Sequence, residues 1–162
     1  MKTALTLLGV LVVASVGLLF AQSPVVLLTT EQFKWTANPE DLGFQQTVVE
    51  GDPTKPGIYI IQVKFPPGVM SKPHFHGETR YATVIKGTWY TGEGDEFTPD
   101  KTVPLKPGSF MKHPAGAHHY DGAKDEEVIL QLIGMGPSTT TRMKPNEGLF
   151  GYSRTAPAAR GR

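Results

Sequence analysis

The chain has no cysteine among its 162 residues. Disulfides, thiolate metal ligands, a cysteine nucleophile and a lipid anchor on cysteine are therefore excluded. It also lacks a charge bias, with 16 basic and 15 acidic side chains, a formal net charge of +1 and no long run of either sign. No electrostatic footprint for nucleic acid follows from that pattern, so no nucleic-acid partner is expected. Useful helical periodicity is missing outside the N-terminal stretch, and no internal repeat is visible. Nor does any G-x-S-x-G motif stand in the chain to support a Ser-His-Asp hydrolase.

What is present reads as one globular domain. Apolar residues make up 39% and charged residues 19%, and the length suffices for a real core. Gly 18 and Pro 14 are spread along the chain. Frequent punctuation of that kind fits many short strands joined by tight turns.

Lys2 precedes an apolar stretch from Leu7 to Phe20, with no charge until Glu31. A basic start followed by an apolar core of this length is a secretory signal pattern. Cleavage is expected after Ala21, which places the mature protein in the periplasm or outside the cell. The alternative is an uncleaved anchor, and membrane contact is expected only in that case. The expected organisation is a signal at 1–21, a β-barrel domain at 22–153 and a flexible tail at 154–162.

Strands are expected at Val25–Thr30, Phe44–Glu50, Gly57–Phe65, Tyr81–Ile85, Thr88–Thr91, Thr102–Leu105, Ser109–Lys112, His118–Asp121 and Glu127–Gly134. The segment Phe33–Leu42 reads as loop or one helical turn. Lys86-Gly87 reads as a hairpin turn between the strands that flank it. Tyr81, Trp89 and Tyr90 are expected to pack in the barrel. Eight or nine short strands of this kind indicate an all-β sandwich or barrel.

The five histidines are His74, His76, His113, His118 and His119. On an extended strand His74-Phe75-His76 places both imidazoles on one face, because side chains repeat every two residues. Two neutral imidazoles on one face are half of a metal site. The third ligand must come from another strand, and the His118-His119 pair offers one.

Gly68-x5-His74-x-His76, followed by Gly87, resembles the first motif of the cupins, G-x5-H-x-H-x3-E-x6-G. Gly108-x5-Pro114-x-Gly116-x2-His119 resembles the second, G-x5-P-x-G-x2-H-x3-N. The resemblance covers roughly residues 57 to 135. It implies a single jelly-roll-type cupin β-barrel with one divalent metal ion per chain, held by His74, His76 and His119. It also implies a homodimer. His118, one residue out of register, should face away from the ion, and His113 should line the pocket rim or lie in solvent.

Two positions depart from the motifs. Arg80 stands where the family carries a carboxylate ligand, and Ala123 stands where it carries asparagine. Glu78 has the strand parity of His74 and His76, so it either leans toward the metal or pairs with Arg80. Three neutral imidazoles leave the ion's charge uncompensated, and an inward Arg80 would add to it. That favours a small anionic or oxygen-rich substrate.

Cupins include oxygenases, isomerases, lyases and binding proteins, so the fold does not select a reaction. The leading expectation is a metal-dependent oxidoreductase of dioxygenase type, with Arg80 and Glu78 as the catalytic candidates. A metal-dependent lyase or isomerase and a non-catalytic exported binding protein are the alternatives. An imidazole-rich site accepts Fe, Mn, Cu, Ni, Co or Zn.

Overall fold

The computed structural model describes residues 25–153. The expected signal segment, its expected cleavage point and the expected tail at 154–162 lie outside the described residues. Among the described residues no helix is long and apolar enough to cross a membrane.

Among the described residues thirteen strands, all paired antiparallel, form two facing sheets. In chain order they are β1 (Thr36–Ala37), β2 (Gln45–Glu50), β3 (Gly57–Phe65), β4 (Val69–Ser71), β5 (His74–His76), β6 (Arg80–Lys86) and β7 (Trp89–Glu93). After them come β8 (Val103–Leu105), β9 (Phe110–His113), β10 (His119–Gly122), β11 (Val128–Gly136), β12 (Thr140–Arg142) and β13 (Phe150–Tyr152). The first sheet runs β1-β2-β3-β11-β6-β9. In the second, β4 and β5 lie along one edge of β10, with β13 and β12 outside them. β7 covers the other edge of β10 and is followed by β8.

The core comes from period-two alternation. On β3, Tyr59, Ile61, Val63 and Phe65 point inward, and Ile61, Val63 and Phe65 stand opposite Leu132, Leu130 and Val128 of β11. Ala82 and Val84 of β6 continue two of these rows. Trp89 and Phe150 close the core from the second sheet. Burying such rows is the main favourable term in the fold.

Four expectations need correction. Val25–Thr30 is not a strand: Val25, Val26 and Leu27 are exposed, and the segment enters a 3-10 turn at Thr30–Gln32. β-branched composition does not make a strand without a partner edge to bond to. The short strand β1 lies instead within the segment read as loop. Lys86-Gly87 is not a hairpin turn, because β6 pairs with β11 and β9 while β7 pairs with β10 and β8. It is the corner where the chain changes sheets. Gly87 has φ +74°, and a Cβ there would lie 2.2 Å from the Glu127 carbonyl oxygen, so the corner requires glycine. Finally, Trp89 is fully buried, but Tyr81 is exposed and stacks on Phe110 at the outer surface.

Candidate metal centre

β5 carries His74 and His76 on its inward face, and β10 brings His119 directly opposite His74. All three imidazoles are buried, and their ligand atoms lie within 4.8 Å of one another. Each ring is fixed by a backbone carbonyl. His74 Nδ1 donates to Lys72 O at 2.8 Å, His76 Nδ1 to Thr139 O at 3.0 Å and His119 Nδ1 to Ala117 O at 2.9 Å. A carbonyl only accepts, so Nδ1 carries the proton and Nε2 keeps its lone pair. Carbonyl partners of this kind orient histidines that bind metals. His119 Nε2 is buried with no hydrogen-bond partner. An unpaired acceptor in a buried cluster of imidazoles fits a cation, and these residues could hold a metal ion.

The rings of the cluster are held neutral. Burial, and then the neighbouring His119, lower His74 to a pKa of about 4, although Asp121 opposes the shift. Burial and the Arg80 guanidinium lower His76 to about 2. At neutral pH both rings are uncharged, the form in which imidazole binds a metal.

Arg80 and Glu78 form a buried ion pair with Nε to Oε1 at 2.8 Å. β5 ends at His76, so Glu78 sits at the corner before β6 and the expected strand parity does not apply to it. Its carboxylate accepts from Tyr59 Oη at 2.8 Å and from the Thr139 N–H at 3.2 Å. Burial would raise its pKa, but the bonds from Arg80, Thr139 and Tyr59 hold it below the ordinary carboxylate range. Glu78 is in neither group of clustered ligand atoms found among the described residues. Arg80 also donates to Ser138 Oγ, and its Nη1 reaches His76 Nε2 at 3.2 Å. The guanidinium thus lies beside the histidines, but its charge is balanced by Glu78.

Two further residues join the cluster. His113, at the inward end of β9, is buried and stacks on His119 with ring centroids 3.7 Å apart. Burial and His119 lower it to about 3. Asp121 follows His119 by two residues and is buried on the same strand. His113, His119 and Asp121 form a second group with ligand atoms within 4.8 Å. The sequence did contain the signal for both: parity with Met111 turns His113 inward, and i, i+2 spacing puts Asp121 on the face of His119. His118 faces away, bonded to Asp95 and stacked on Phe75.

The cluster opens into a cavity of about 540 Å³ between the sheets. Phe44, Ile61, Val63, Leu130 and Leu132 form its apolar wall, facing the histidines.

No protein-family model matches the chain, and no curated protein matches it in sequence. Solved structures do match it in shape. A cupin-2 domain protein from Rhodospirillum rubrum superposes with a TM-score of 0.60 at 12% identity, over 76% of this chain and 84% of that one. The fold is that of a cupin. The polyketide cyclase RemF from Streptomyces resistomycificus gives a TM-score of 0.63 at 14% identity, over 76% and 89% of the two chains. The DMSP lyase DddQ from Ruegeria pomeroyi gives 0.58 at 14% identity, over 73% of this chain and 64% of the lyase. At such identities the likeness is one of fold alone, and the named neighbours differ in reaction.

Proposed function

We propose that this cupin is a mononuclear metal-dependent enzyme, an oxygen-using oxidoreductase of dioxygenase type acting on a small organic substrate with an anionic or oxygen-rich end. The observation that carries the metal reading is the set of three buried imidazoles whose Nδ1 atoms are all tied to carbonyls. His74, His76 and His119 would hold the ion, which would supply Lewis acidity or one-electron chemistry according to its identity. The apolar wall of the cavity accepts the body of the substrate and excludes water from the cluster.

The oxidative reading is supported by the all-imidazole set of the three motif histidines, since imidazole ligation suits redox-active ions such as iron and copper. Lyase or isomerase chemistry is the second reading, favoured by the cyclase and the lyase among proteins of similar shape. Oxygen-electrode measurements on metal-loaded protein with small enols, diols and keto acids separate them. Oxygen uptake matched to product, absent in His76→Ala, is expected. Product formed at the same rate under argon would remove the dioxygenase reading.

We further propose that two copies pair through the outer face of the first sheet. Ile58, Ile133, Met135, Tyr81 and Phe110 are exposed there on adjoining strands.

A further inference from the structure

We propose that Asp121, together with His113, completes the donor set for the cation, so that the negative charge displaced from position 80 is supplied by β10. The inference rests on the metal reading above and adds to it two residues that the motif resemblance does not assign.

Charge gives the first argument. Arg80 and Glu78 neutralise one another in their ion pair. Asp121 is buried, and among the described residues the hydrogen bonds of its side chain go to the hydroxyl of Ser71 alone. A buried carboxylate without a cationic partner is costly, and buried charges are ordinarily paired or bound to metal. A divalent ion between the histidines and Asp121 supplies that partner.

Geometry gives the second. The two groups of ligand atoms share His119, and each is compact to within 4.8 Å. His119 Nδ1 is committed to Ala117 O, so only Nε2 is free to ligate. One nitrogen serves one ion, so the groups describe a single enlarged site and not two. His113 Nε2 is buried with no hydrogen-bond partner, in a ring that lines the cavity, and the ring has to turn out of its stack on His119 for both nitrogens to meet one ion. His113 is also the direct cross-strand neighbour of Arg80, level with the vacated carboxylate position but on the next strand.

Orientation gives the third. Ser71 Oγ donates to Asp121 Oδ1 at 2.5 Å and accepts from the Asp121 N–H at 3.0 Å. The carboxylate is thus aimed by a second residue, as ligating carboxylates commonly are. On the opposite side Arg80 Nη1 occupies the lone pair of His76. With that lone pair engaged, attraction to Asp121 draws the cation toward β10.

The test is a competition titration of Co(II) against a chromophoric chelator at pH 7. It compares wild type with Asp121→Asn, His113→Gln and His74→Gln, with metal-free melting curves recorded alongside. Asp121→Asn and His113→Gln should each weaken Co(II) binding on the order of 10- to 100-fold. His74→Gln should weaken it at least as much. If Asp121→Asn fails to fold, Ser71→Ala is read instead. It leaves the carboxylate in place and removes only its orienting hydroxyl, so binding should fall by several fold. Wild-type affinity in Asp121→Asn (or in Ser71→Ala) and in His113→Gln, with His74→Gln impaired, would overturn the enlarged site and leave the three-histidine site standing. Wild-type affinity in His74→Gln, or no uptake by the wild type, would overturn both.

Discussion

Arg80 places a guanidinium where the resemblance called for a carboxylate, and its neighbours decide what that does. Its Nε is paired with Glu78, and Nη1 sits on the nitrogen that His76 would offer a metal. Removing either member of this pair leaves a buried charge alone, which costs about 3–5 kcal/mol. Arg80→Gln and Glu78→Gln should therefore both lower the denaturation midpoint. Their effects on metal binding should be opposite. Arg80→Gln removes a competing donor and a positive charge, so the folded fraction should bind Co(II) more tightly. Glu78→Gln leaves the guanidinium uncompensated beside His76, so binding should weaken. Equal Co(II) affinity in the two variants would show that the pair is only structural. The pairing of Arg80 with Glu78 was legible as one of two options in the sequence, but its reach to His76 was not. That contact depends on the corner at residues 77–79, which spacing rules for extended strands do not describe.

At the scale of strands, alternation was the most dependable signal. β3 and β11 keep the expected limits within two residues, because each is long and its inward rows are apolar. Pairing was harder to read. Lys86-Gly87 has the residues of a hairpin turn, yet the chain changes sheets there, since the partners of β6 and β7 are distant in sequence. The same alternation that fills the core leaves an apolar row outside, where Ile60, Ile133 and Tyr81 stand side by side on β3, β11 and β6. An exposed apolar patch on a sheet face commonly marks an interaction site. Light scattering at micromolar concentration should give the mass of two chains, and Ile133→Asp should shift it to that of one. A monomeric wild type would remove the proposed pairing.

Across the whole molecule the site exists because two sheets close over it. The second sheet brings His74, His76, His119 and Asp121, and the first brings Arg80, His113 and the apolar wall. Motif spacing made the three-histidine set legible, because each motif covers a short run of consecutive strands and turns. Parity could have turned His113 and Asp121 inward, but that they meet His119 at one site was legible only once β9 was known to face β10. The cavity was not legible at all, since its wall is ordinary core sequence until the opposite sheet supplies polar groups. The central claim is that His74, His76 and His119 hold one ion. Metal analysis by plasma mass spectrometry of wild type, His74→Ala, His76→Ala, His119→Ala and His118→Ala tests it most directly. At neutral pH His74 and His76 are already free of extra protons, so protons offer little competition to the ion. The expected result is about one ion per chain in wild type and His118→Ala, with most of it lost from each of the other three. A wild type without stoichiometric metal, or loss in His118→Ala with retention in His119→Ala, would contradict the account.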